Sequence, residues 1–263
     1  MQALYPRYGY PMSEKQLRRS MGKGPLFEYL AKFAWADNVL FFDDFLQDTI
    51  NLDFYALANS GGTSAANFAI NVARSGQIKG DTGTDDNGSI SMIMPLTWYG
   101  DANAGMEVKI KTDIVTSFNL EVGFIDAVPA ANAGGVNDED TPTFVAGDSA
   151  LFSIDTDETF KTAGFYSNGS TSGQPDSRTS LAGVPSFTSG TLPVLDTFYT
   201  VRIQLVGNNA YCWVNGALVA SHDTDADGHI EGGTAVAPWI YCRTRDTTAV
   251  FPSIDYIAAW QER

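Results

Sequence analysis

TFYTVRIQLVGNNAYCWVNGALVAS, residues 197–221, decides how this chain folds. Residues 199–206 and 210–214 alternate β-branched, aromatic and aliphatic side chains with the two-residue period of a strand, and Gly207-Asn208-Asn209 separates them. A third apolar run, residues 217–220, begins directly after Asn215-Gly216. Asn-Gly between two such runs marks a hairpin, because a type I′ turn needs φ > 0 at both central residues and these two residue types tolerate it. The stretch predicts a three-stranded antiparallel meander.

Outward from the meander the chain reads as more strands and turns. Residues 41–45, 67–73, 89–94, 105–112, 118–125, 150–154, 161–166, 239–243 and 254–260 are short apolar or alternating runs set off by Gly, Asn, Asp and Pro. More than ten such strands predict an all-β sandwich of two antiparallel sheets. Residues 126–147 and 168–193 are rich in small and polar residues and read as surface loops. A 263-residue chain with 44% hydrophobic and 12% aromatic residues can fill one such core.

Three motifs carry a resemblance. A strand ending in Val214-Asn215-Gly216 with a short apolar strand at once after it resembles the hairpin of the superfamily of concanavalin-like lectins, laminin-G domains and family 16 glucanases. Residues 254–260, with Asp255-Tyr256-Ile257, resemble the closing strand of those jelly rolls, and Phe41-Phe42-Asp43-Asp44-Phe45 resembles the opening one. The resemblance implies a concanavalin-like jelly roll over residues 38–263.

Residues 1–37 do not belong to a jelly roll. Tyr5-Pro6-Arg7-Tyr8-Gly9-Tyr10-Pro11 reads as extended chain, since proline fixes its own φ and drives its predecessor out of the helical region. Ser13 with Gln16 makes a capping box, and Met12 with Leu17 a hydrophobic staple, for a short helix that stops at Gly22. Pro25 starts a second helix with Leu26, Tyr29, Leu30 and Phe33 on one stripe and Phe27 and Trp35 off it. Either both helices fold back on the jelly roll or the arm grips a neighbouring subunit. Its aromatic and Arg content favours the second, with Arg7, Arg18, Arg19, Phe27, Leu30, Phe33 and Trp35 as partner-binding residues.

Charge divides along the same boundary. The whole chain carries −15, whereas residues 1–36 carry +4 and the remainder −19. The acidic body is expected to repel nucleic acid and anionic membrane, and the arm to seek an acidic partner. No run approaches a membrane span and the first residues show no apolar export segment, so Cys212 and Cys242 are expected as two reduced, buried thiols rather than a disulfide. Without an export route, Asn87-Gly88-Ser89 and Asn168-Gly169-Ser170 read as turns.

Carboxylates are the first candidates for chemistry. Family 16 glucanases carry Glu-x-Asp-x-x-Glu or a close variant on one strand, giving a nucleophile and an acid about 5 Å apart on one face. The nearest run here is Glu121-Val-Gly123-Phe-Ile-Asp126, whose acids lie five apart and face opposite sides of a regular strand, with Gly123 at the centre. That pattern predicts no retaining glycosidase, no catalytic residue, and Glu121 as a solvated strand position. His222 and His229 lack metal or nucleophile companions and read as loop residues. Asp223, Asp225 and Asp227, with Gly228 and Ile230, match the first two-thirds of a calcium loop, although position 12 is Thr234. Structural calcium and an ion-free acidic hairpin loop are both open. Trp98, Tyr99, Trp213, Trp239 and Tyr241 are available as sugar-stacking aromatics or as core.

The order of FFDDF, Glu121-Val-Gly-Phe, Trp213-Val-Asn-Gly, Arg243-Thr-Arg245 and Asp255-Tyr256-Ile257 also resembles virion structural proteins of tailed bacteriophages that carry a concanavalin-like domain. That resemblance implies a non-enzymatic capsid-associated or decoration protein, located in the virion after synthesis in the host cytoplasm. Its partners would be capsid or other virion subunits in a homo-oligomeric or multi-copy array. The alternative is a carbohydrate-binding adhesin on a tail or fibre, and a glycosidase comes third.

Overall fold

The structure is a computed structural model. It describes residues 38–47, 49–60, 67–71, 76–95, 97–114, 116–127, 136–137, 143–144, 148–156, 161–168, 177–180, 196–223 and 230–262. The arm lies outside the described residues, and with it all seven residues assigned to partner binding.

In chain order the strands are β1 (Asn38–Asp43), β2 (Ala56–Ser60), β3 (Asn67–Ile70), β4 (Ile78–Asp81), β5 (Ser89–Ile93) and β6 (Trp98–Tyr99), followed by a 3-10 turn, Gly100–Ala102. Next come β7 (Gly105–Lys111), β8 (Phe118–Ile125), β9 (Val136–Asn137), β10 (Thr143–Phe144), β11 (Ser149–Thr156) and β12 (Lys161–Asn168). The chain closes with β13 (Ser177–Ser180), β14 (Tyr199–Val206), β15 (Asn209–Val214), β16 (Ala217–His222), β17 (Ala235–Thr244) and β18 (Ser253–Glu262). They form two antiparallel sheets and so the expected jelly-roll sandwich. The first runs β16-β15-β14-β7-β18-β4-β3 with β1 also on β18; the second runs β13-β12-β11-β8-β17-β5-β2 with β6 on β17; β9 and β10 pair separately.

The meander forms as read. Asn215 and Gly216 take φ of 50° and 80°, the two positive values that a type I′ turn requires. The closing strand returns beside the opening one, with Leu40 opposite Trp260 and Phe42 opposite Ala258. Phe45 differs from expectation. It leaves the strand at φ 52°, held by its N–H on Asp43 Oδ1 at 3.0 Å, and is fully buried.

Between the sheets lies one apolar core. Alternate residues of β8 (Phe118, Leu120, Val122, Phe124), β11 (Ala150, Phe152, Ile154), β14 (Val201, Ile203, Leu205) and β7 (Met106, Val108, Ile110) all point into it. Cys212 and Cys242 sit there as free thiols, and burial pushes both well above the ordinary thiol range.

The outer face of the first sheet is built on an ion pair. Arg202 donates through Nε and Nη2 to Glu107 Oε2 at 2.9 and 2.7 Å, and Tyr256 Oη donates to Glu107 Oε1 at 2.7 Å. The guanidinium carbon lies 6.0 Å from the Trp213 ring centre and 5.9 Å from that of Trp260, so Arg202 also bridges two indoles. Trp213 is thus spent on a structural stack. Trp98 joins the core.

Candidate functional site: the outer face of the second sheet

Alternation sends the remaining residues of the second sheet to its far side. From β17 come Trp239, Tyr241 and Arg243; from β8, Asn119, Glu121, Gly123 and Ile125; from β11, Leu151, Ser153 and Asp155. Ser89, Ser91 and Ile93 of β5 continue the rows, with Tyr166 of β12 on the other flank. Ile125, Leu151, Tyr166, Trp239 and Tyr241, with Ile93 against them, make an apolar cluster separate from the main core.

The face is graded along the strands. At one end Trp239 stands opposite Gly123, and its ring stacks on Tyr241 with centroids 5.7 Å apart and planes 10° from parallel. In the middle Glu121 lies opposite Tyr241 and Ser153, and its Oε2 accepts a hydrogen bond from Trp239 Nε1 at 3.3 Å. At the other end Asn119 faces Arg243 and Asp155. Asp155 takes Arg245 through both carboxylate oxygens, Nε to Oδ1 at 3.0 Å and Nη2 to Oδ2. Asn119 Nδ2 reaches Ser153 Oγ at 3.4 Å, while its Oδ1 is buried without a hydrogen-bond partner.

These side chains are closed off from solvent, Glu121 at 0%, Trp239 at 2% and Tyr241 at 1% exposure. Glu121 is therefore not the solvated strand residue expected, because both faces of β8 are buried. Burial drives the Tyr241 phenol upward from its ordinary value; Arg243 opposes that, Glu121 adds to it, and a hydrogen bond with Ser89 opposes it.

The glucanase-like spacing resolves clearly. Gly123 occupies the central position because a Cβ there would fall on the carbonyl oxygen of Ala150 in β11. Ile125 takes the next position on the face, and Asp126 comes after the strand, its N–H bonded to the Asp148 carbonyl at 2.9 Å. Glu121 and Asp126 do not form a pair across the face.

Elsewhere the structure corrects the reading of one histidine and leaves the calcium loop incomplete. His222 is the last residue of β16, 3% exposed, with Nδ1 2.6 Å from Ser167 Oγ and its ring 4.8 Å from that of Phe165. It is a buried inter-sheet contact and not a loop residue; nothing in the sequence signals it, since the partners are 55 residues apart. His229, Asp225 and Asp227 lie outside the described residues, and Asp223 is exposed just past β16. Glu231, the next acidic residue after that loop, accepts from Thr234 Oγ1 at 3.3 Å. Among the described residues no group of three or more acidic, His or Cys side chains is placed to hold a metal, so the described donors do not make a calcium cage.

No family model matches the chain, and no curated protein matches it in sequence. Solved structures do match in fold. A putative beta-glucanase from Mycobacterium abscessus is similar at TM-score 0.54 and 12% identity, over 84% of this chain and 99% of that one. A structure from work on endo-acting O-glycanases of the human gut microbiota that initiate mucin breakdown gives TM-score 0.55 and 8% identity, over 85% and 99%. The Emp46p carbohydrate recognition domain, in a potassium-bound form, gives TM-score 0.52 and 10% identity, over 82% and 94%. At such identities the likeness is one of fold.

It is a fold shared with proteins described as glycan-acting enzymes, and this overturns the expectation of a non-enzyme: the missing glucanase motif excludes one mechanism and not catalysis. Nothing among these structures points to a virion protein.

Proposed function

We propose that the chain is a carbohydrate-binding jelly roll whose binding surface is the outer face of the second sheet. The observation that carries this is the stacked pair Trp239 and Tyr241 with Glu121 hydrogen-bonded to the indole, on a face separate from the sandwich core. Aromatic rings offer flat apolar area to the C–H face of a sugar, and a carboxylate beside them accepts from its hydroxyls. The carbohydrate recognition domain and the glycan-acting proteins of the same fold support the reading. Since the face is buried, it must be uncovered before a saccharide reaches it, and association is slower than an unhindered encounter.

A glycan array followed by calorimetry tests this. Full-length protein is expected to retain specific glycans, and Trp239→Leu, shown folded by circular dichroism, to weaken them about tenfold or more. A blank array, or hits indifferent to Trp239, would sink the proposal.

Catalysis on the same face is the second reading, favoured by Glu121 and Asp155. They are diagonal neighbours on adjacent strands, where side chains are about 7–8 Å apart, a separation that suits an inverting hydrolase. Release of reducing ends from a bound glycan, abolished in Glu121→Gln while Trp239 and Tyr241 still retain the glycan, is the expected signature. Bound glycan left intact over long incubation would overturn it.

A further inference from the structure

We infer that the outer face of the second sheet docks the chain's own arm, with residues 25–36 lying on the apolar row that crosses this face. The row consists of directly opposed residues on five strands: Ile93 on β5, Trp239 on β17, Gly123 on β8, Leu151 on β11 and Tyr166 on β12. The next row brings in Ser91, Glu121 and Ser153 and is polar. Trp239, Leu151 and Tyr166 face away from the sandwich core and are nevertheless buried. The two sheets account for sixteen of the described strands, and β9 and β10 hold two residues each, too little to cover five strands. The cover is therefore assigned to chain outside the described strands.

The arm fits by position. It ends at Asn38, which stands opposite Glu262. The neighbouring Gln261 donates through Nε2 to the Thr97 carbonyl at 2.9 Å and accepts the Tyr99 N–H on Oε1 at 3.1 Å. Trp98 and Tyr99 in turn pair with Val236 and Ala235, where β17 begins. Trp239 is three residues further along that strand, about 10 Å away. The arm thus leaves the sandwich at the aromatic end of the face.

Length and chemistry fit as well. Five adjacent strands span about 19 Å, and a helix over residues 25–36 is about 18 Å long. Six of the ten residues 26–35 are Leu or aromatic, a matching apolar surface for the row. Residues 1–36 carry +4 against −19 on the remainder, so charge draws the arm to its own body. Residues 181–195 also contain apolar side chains, but Gly183, Pro185, Gly190 and Pro193 break the run. On the carbohydrate-binding reading, on which this consequence rests, the docked arm competes with the saccharide for Trp239 and Tyr241.

Two measurements on the full chain decide this. Phe33→p-benzoylphenylalanine, irradiated in dilute solution, is expected to cross-link within one chain to peptides holding residues 119–125, 149–155 or 235–243. Cross-links between chains, cross-links to the first sheet alone, or capture of those peptides by Phe187→p-benzoylphenylalanine in place of the Phe33 variant overturns the inference. Leu30→Glu with Phe33→Glu sets two charges into the apolar contact, and hydroxyl-radical oxidation of Trp239 and Tyr241 is expected to rise about fivefold or more. Unchanged oxidation overturns docking. The same variant is expected to bind a retained glycan about tenfold more tightly, because a larger fraction of the protein is open. A blank array beside the expected cross-links ends the carbohydrate reading and leaves the docked arm standing, whereas retained glycans with no cross-link to the second sheet do the reverse.

Discussion

Trp239 Nε1 donates to Glu121 Oε2 at 3.3 Å across the two central strands of the second sheet, which ties the aromatic end of the face to the carboxylate at its middle. Trp239→Phe keeps the ring and removes the donor. Glu121 is fully buried, so losing one donor is expected to cost about 1–3 kcal/mol in urea unfolding, where a surface bond would cost almost nothing. An unchanged midpoint would show that the contact contributes nothing to the fold.

Gly123 is fixed by the backbone of its neighbour. A methyl group at this position meets the Ala150 carbonyl, which cannot turn aside because it belongs to a paired strand. Gly123→Ala is expected to destabilise by about 1–3 kcal/mol or to shift β8 against β11. Thermal unfolding gives the first outcome, and loss of amide protection on Leu151 by hydrogen exchange gives the second.

The fold was legible where alternation is clean and one face is polar. β14 and β15 show that pattern, and Asn215-Gly216 fixes the turn that follows. β4 was not legible, because IKGD offers Ile78 alone as an apolar signal and Gly80 reads as a breaker. β2, ALANS, is an edge strand with little buried, so it carries no periodic pressure. The site was half legible. Trp239 and Tyr241 stand out by type, but every described residue of β17 from 236 to 244 is buried, and period two cannot tell which buried face is the sandwich core. Glu121 gave the one available signal, an acid in the middle of an eight-residue buried strand.

Calcium bound by Asp223, Asp225 and Asp227 would show directly in the melting temperature. If the three share an ion, chelation restores repulsion among their carboxylates, and an ion bound only by the folded state adds stability by mass action. At calcium a hundredfold above its dissociation constant the gain is about 2.7 kcal/mol, several degrees in melting temperature. A melting curve indifferent to chelator and to millimolar calcium excludes the ion.

Asp113 accepts the Phe251 N–H at 2.8 Å from a partly buried position, and burial raises its carboxyl above the ordinary 3.8 despite that bond and the nearby Lys79 charge. The folded state therefore takes up this proton before the unfolded chain does. Stability from this group is present below the unfolded value and is lost as pH rises through the higher folded value. Asp113→Asn keeps an acceptor for Phe251 and removes the titration. Relative to the unaltered protein it is expected to melt higher at pH 7, with the advantage shrinking toward pH 3.5. A difference independent of pH would place the effect in packing.

Glu107 is 3% exposed and takes two bonds from Arg202 and one from Tyr256, so this carboxylate depends on Arg202 for its counter-charge on the first sheet's outer face. Removing one partner strands the other. Arg202→Met leaves a buried carboxylate and loses the contact with Trp213 and Trp260, and is expected to cost about 3–5 kcal/mol. Arg202→Met with Glu107→Leu removes both charges and substitutes apolar groups, which often restores most of the stability of a buried pair. The double variant is therefore expected to be more stable than Arg202→Met alone, with a coupling of about 1–3 kcal/mol in a double-mutant cycle by urea unfolding. Additive losses would mean that the two residues contribute separately, Arg202 through its indole contacts and Glu107 through Tyr256.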